Sequence, residues 1–241
     1  MANTCKSDSI TIIFASMELF LSNIKIEVNS NLYLKNPESS TLGKKILKGG
    51  IELINELGFD DFTFKKLAVK IQSTEASIYR YFDSKHKLLL YLNAWYWAWM
   101  EYRFVFKITN IVSPTERLLK GLTLLTEKVE EDGNIPHINE TSLYKIVISE
   151  FTKAYSIKTV DDYNDLGAYV GYKQLVQRIC DIILEINPDY KYPHMLASTV
   201  IEGSHHQRFF SEHLPKLTDV SENEDAVVNF YNELVLKVIQ K

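Results

Sequence analysis

The spacing of one stretch of 28 residues restricts this chain more than any other feature. Gly58-Phe59 is followed by Thr63, by Leu67-Ala68, and then by Ile78-Tyr79-Arg80-Tyr81-Phe82 and Ser84-Lys85. Thr63 is placed to cap a helix whose apolar side carries Phe64, Leu67, Ala68 and Ile71. Thr74 is placed to cap a shorter one, in which Ile78 and Phe82 stand four apart and point into the same small core. Two short amphipathic helices joined by a tight polar turn form a helix-turn-helix, in which one helix enters a DNA major groove and the other braces it.

Charge agrees with that reading only when it is localised. The 241 residues carry a net charge of -4, which gives the whole molecule no attraction for nucleic acid. Residues 41–90, however, hold 9 Lys/Arg against 6 Asp/Glu, a net of +3 on an otherwise acidic chain. A basic head on an acidic body suits a protein that meets phosphate with one small face. The hydrophobic fraction of 46% excludes a disordered tail protein. Cys5 and Cys180 are too few for a disulfide framework or a zinc site, which favours a reducing cytoplasm. Ile10 to Leu21 is apolar, but Glu18 interrupts it and it is shorter than the roughly 18 residues of a membrane span. It reads as an extra helix or an extension, and no membrane partner is expected.

The rest of the pattern is helical. Ile46, Leu47, Ile51, Ile54 and Leu57 mark a first helix capped by Thr41 and ended at Gly58. Gly49-Gly50 inside it suggests the close approach of another backbone. Ser84 caps a long fourth helix from Lys85 to about Lys107. Further helices are predicted over residues 115–130, 143–155, 163–186, 193–213 and 224–239, and the alternation at Ile24 to Val28 is too short to found a sheet. The fold class is all-α. Residues 1–40 read as an N-terminal extension and linker, 41–88 as the DNA-binding head, and 89–241 as a helical body.

The quoted residues resemble the tetracycline-repressor (TetR) family of bacterial transcriptional regulators over residues 42 to about 90. The resemblance implies a three-helix head, a helical effector-binding and dimerising body, and a homodimer that binds a palindromic operator as a repressor. By the same resemblance, Lys65, Thr74, Glu75, Ala76 and Ser77 face base edges or the groove wall, with Thr63 opening the second helix. Tyr79, Tyr81, Lys85 and Lys44 or Lys45 fall where the family touches phosphate, although the two tyrosines could equally pack beside Phe82. Two departures stand out. The turn has Gln72-Ser73 where the family usually carries Gly-Val, and Glu75 opens the reading helix, where a carboxylate is repelled by phosphate but can accept from a cytosine amino group. A sensor or scaffold whose head no longer binds DNA is the alternative these departures leave open.

In the body, Trp95, Trp99, Tyr102 and Phe106 form an aromatic stripe, beside which Tyr144, Phe151, Tyr169 and Tyr172 could add walls. The stripe is either core or the lining of a cavity for a small apolar or aromatic effector. Leu196, Val200 and Phe210, with Val227, Phe230, Tyr231, Leu234 and Val238, are candidate dimer contacts on the last two helices. His205-His206 with Glu202 and His213 resembles a metal cluster, yet neighbouring histidines on a helix point about 100 degrees apart, so no metal is expected. No cofactor is expected, and the nucleophile-elbow, zincin and phosphate-loop motifs of common enzymes are absent.

Overall fold

The computed structural model describes residues 26–131, 133, 135–220 and 224–240; Cys5 and the Ile10 to Leu21 segment lie outside them. The regular elements among the described residues are helical. They are α1 (Thr41–Asp61), α2 (Phe64–Lys70), α3 (Glu75–Tyr79), α4 (Lys85–Ile108), α5 (Pro114–Thr126), α6 (Glu140–Ser149), α7 (Phe151–Tyr155), α8 (Val160–Asp165), α9 (Val170–Ile186), α10 (Pro193–His213) and α11 (Ala226–Ile239). Short 3₁₀ turns occupy Ser30–Leu32, Pro37–Ser39 and Pro215–Leu217.

Side-chain caps set the starts of the head helices, because the first turn of a helix has no internal acceptors for its N–H groups. The α1 cap is Ser40 rather than Thr41: its Oγ accepts from the Gly43 N–H at 3.1 Å. Thr63, Thr74 and Ser84 cap α2, α3 and α4 as the sequence predicts. Within α1, Gly58 leaves the helical region at φ 76, ψ 160, and one further turn runs on to Asp61. The Gly49-Gly50 pair is explained by side chains, not by a neighbouring backbone. A Cβ on Gly49 would stand 2.6 Å from Ile71 Cγ2, and one on Gly50 would stand 3.2 Å from Leu88 Cδ2. The close backbone approach in α1 is at Gly43, where Pro37 sits against the helix.

Two predicted helices are each divided. Residues 143–155 form α6 and α7, separated at Glu150, and residues 163–186 are broken at Gly167, which takes φ +81 between α8 and α9. The stretch before α1 is packed rather than a free linker. Leu32 is fully buried against Leu90, Ala154, Ala168 and Tyr169, Leu34 N–H donates to Tyr81 O at 2.8 Å, and Glu38 pairs with His137 at 2.8 Å. Residues 26–40 therefore strap the head to the body.

The α4 helix joins the two parts. From Leu88 to Met100 nearly every side chain is buried, so the helix runs through the core and presents no single apolar face. The α9, α5 and α6 helices pack around it; at Gly171, a Cβ would lie 3.0 Å from the Ala98 backbone nitrogen, so α9 approaches α4 too closely for a larger residue.

Candidate functional site

The head is built so that α3 is held from beneath and open above. Ile78 is fully buried with Phe82, while Glu75, Ala76, Tyr79 and Arg80 are exposed. Thr74 Oγ1 accepts the Ser77 N–H at 3.2 Å, and the two hydroxyls meet at 2.8 Å, so both residues shape the first turn of the helix. Tyr79 makes a T-shaped contact with Phe64, 5.1 Å between ring centroids, and remains 46% exposed. The turn keeps its left-handed geometry without a glycine: Gln72 itself adopts φ 54, and Ser73 N–H closes onto Ala68 O at 2.9 Å. That conformation costs an ordinary L-residue about 1 kcal/mol.

The structure divides the expected phosphate contacts. Lys44, Lys45 and Lys65 are exposed. Tyr81 is only 3% exposed, and its hydroxyl meets Ser40 Oγ at 2.8 Å, so it ties α1 to the end of the head and is not a surface group. Lys85 is also structural. Its Nζ donates to the Phe59, Asp60 and Phe62 carbonyls at 2.9, 2.9 and 3.0 Å, closing the last turn of α1. Arg80, exposed at the end of α3, is the cation that position in the sequence motif did not single out.

In the body the aromatic stripe resolves into core. Trp95 and Trp99 are 1% exposed and stack on each other. Phe106 is 60% exposed near the end of α4 and walls no interior, and Tyr102 is half-buried beside it. Phe151 stacks on Tyr155, and Tyr169 donates to Ala154 O at 2.7 Å. Tyr172 stacks on Trp97 with 4.2 Å between centroids and donates to Glu202 at 2.6 Å. Burial, then the Glu202 charge, pushes the Tyr172 hydroxyl well above its ordinary range. Trp97 also donates to Tyr155 and lies against His205, whose imidazole burial pushes down to about 3. Trp97, Tyr155 and His205 were not legible as a group because α4 is buried all round and its partners come from α7 and α10.

Of the predicted cavity residues, Tyr144 alone borders the largest of the described clefts, about 510 Å³ between head and body. The head supplies Ile54, Asn55 and Gly58. The α6 face carrying Thr141, Lys145 and Ile148 stands opposite, with Lys128, Val129, Glu150 and the end of α10 completing the walls. Glu150 is 7% exposed and accepts the Phe59 N–H at 3.0 Å, while Lys153 bridges it to Asp60. Arg208 is held by Thr126 O and by both oxygens of Asp225 at 2.7 Å.

The last two helices differ from expectation in their inner face. Leu196, Val200, Val227 and Tyr231 are buried within the chain, because Gly203 lets Tyr231 pack directly onto α10. Phe230 and Val238 are 57% and 42% exposed, with Leu234 half-buried between them, and Phe210 is half-buried against His206. Among the described residues no three His, Cys, Asp or Glu side chains converge as a metal site, and no helix is long and apolar enough to cross a membrane.

A tri-helical head with an open α3, carried on a helical body by α4, is the architecture of helix-turn-helix transcriptional regulators. Residues 46–92, which span most of α1 through the start of α4, match the family described as bacterial regulatory proteins, tetR family. Over 78–81% of its length the chain has the fold of two solved proteins. A TetR-family transcriptional regulator, PfmR from Thermus thermophilus, is 13% identical, with a TM-score of 0.56 over 81% of this chain and 99% of that one. AibR, solved with isovaleryl coenzyme A and operator DNA, is 14% identical, with a TM-score of 0.56 over 78% of this chain and 95% of its own. No curated protein matches the sequence.

Proposed function

We propose that this chain is a dimeric, cytoplasmic repressor that binds a palindromic operator through α3 and is modulated by a small molecule held in the helical body. The observation that carries the reading is the exposure of Glu75, Ala76, Tyr79 and Arg80 on a capped helix pinned by Ile78. Lys44, Lys45 and Lys65 supply phosphate contacts, and Thr63, Thr74 and Ser77 hold the helix starts. AibR, whose fold this chain shares, was solved with both an operator and an acyl coenzyme A, which supports a DNA partner and a small-molecule effector here. Phe230, Leu234 and Val238 form an apolar strip on α11 that supports pairing between two copies. The head at 41–88 then acts as the reader, and the body at 89–241 as sensor and dimeriser.

Fluorescence anisotropy with labelled fragments flanking the gene tests this. A regulator gives a fragment-specific complex that weakens steeply with salt. The withdrawal of Tyr81 and Lys85 from the surface, together with an exposed Glu75, favours a second reading in which the head binds weakly and the chain serves as a sensor or scaffold. Folded protein that retains no fragment at low salt would select it.

A further inference from the structure

The cleft between head and body is of the size that takes small molecules. Its walls are of two kinds. Ile54, Val129, Ile148 and Phe209 are apolar, and Phe209 is still 37% exposed. The charged groups are unequally satisfied. Arg208 is committed to Asp225 and Thr126, and Glu150 to Phe59 and Lys153. Lys128 and Lys145 are exposed and make no ion pair among the described residues, against one carboxylate at the rim, Glu212. The two lysines are brought to one side: Thr141 Oγ1 donates to Val129 O at 3.3 Å, next to Lys128, and Lys145 follows Thr141 by one helical turn.

We propose that this cleft binds an amphipathic carboxylate, its hydrocarbon part against Ile54, Ile148 and Phe209 and its charge between Lys128 and Lys145. A purely polar anion would leave the apolar wall wet, and a neutral hydrocarbon would leave the lysines unused. The head forms one wall through Asn55 and Gly58, so occupancy bears directly on the junction that Glu150 holds. This regulatory consequence rests on the effector reading above; the binding site does not. The ligand shifts operator affinity only by the difference in its own affinity for the two arrangements of the head.

Calorimetry of the full chain with sodium octanoate, and separately with 1-octanol, tests the assignment without DNA. Octanoate binds, and octanol binds at least about tenfold more weakly, a difference of about 1.4 kcal/mol. The Lys128→Glu/Lys145→Glu double variant, altered at exposed positions and checked for unchanged helicity, binds octanoate at least about tenfold more weakly. Ile148→Trp fills the cleft and removes both ligands. Absence of octanoate binding, or binding unchanged in the double variant and in Ile148→Trp, overturns the assignment. Octanoate binding in a protein that retains no DNA leaves the cleft assigned and sinks the regulator reading; specific DNA binding without octanoate binding does the reverse.

Discussion

The Glu150 carboxylate accepts the backbone N–H of Phe59 at 3.0 Å, across the boundary between the body and the head. The bond exists because Gly58 breaks the helical backbone one residue earlier and frees that N–H from its own helix. Glu150 is buried, so its loss leaves both the amide and Lys153 short of a partner. Glu150→Ala should lower the unfolding free energy by about 1–3 kcal/mol in urea titration. No change in midpoint would mean that the junction is not held this way.

Gly58 occupies φ 76, ψ 160, a region that only glycine enters without strain. A Cβ there meets no neighbouring atom within 4 Å, so the penalty is conformational and not steric. Gly58→Ala is expected to destabilise by about 1–3 kcal/mol, read from thermal unfolding.

Gln72 shows the opposite opportunity. It holds φ 54 at the turn between α2 and α3, so Gln72→Gly should stabilise the chain by about 1 kcal/mol. A loss of stability in the same denaturation assay would place the turn in another conformation.

His205 is neutral in the folded chain because burial, with repulsion from His206, depresses its imidazole to about 3. Unfolded, it protonates near its ordinary value of about 6.5, so the unfolded state binds more protons below that pH. Stability contributed by the neutral ring is present above about pH 6.5 and falls by about 1.4 kcal/mol per unit as pH drops toward 3. His205→Gln should flatten that slope between pH 6.5 and 5, a window above most carboxylate titrations, in denaturant midpoints measured across pH. An unaltered slope would show that the ring is reached by solvent.

Basic residues in the head should separate by assay. Arg80→Ala and Lys44→Ala each reduce the log-log salt slope of DNA binding by about one, with stability unchanged. Lys85→Ala instead lowers the melting temperature, at a cost of about 2 kcal/mol, because its three carbonyl acceptors lose their donor. Equal salt-slope losses for Lys85 and Arg80, without destabilisation, would return Lys85 to the DNA surface.

The head was legible because its information is local. Caps such as Thr63, Thr74 and Ser84 lie within three residues of the N–H groups they satisfy, and Ile78 and Phe82 share a face by spacing alone. Lys85 misled for a physical reason: a lysine at a helix start is suited equally to phosphate and to carbonyls, and only the approach of the α1 end, 23 to 26 residues earlier, chooses between them. Phe106 misled because a stripe continues in sequence after the helix has left the core.

By itself the sequence determined the all-helical class, the three-helix head and the approximate extent of most body helices, though not the divisions at Glu150 and Gly167, since the former follow from caps, breakers and 3.6-residue periodicity. Tertiary structure decided which charged and aromatic groups remain available. Tyr81 is taken up by Ser40, 41 residues away, and Tyr172 by Glu202, 30 residues away. The cleft depends on bringing Ile54 of the head beside Ile148 of the body. Such pairings depend on where helices cross, and no periodicity within a single helix encodes its neighbour.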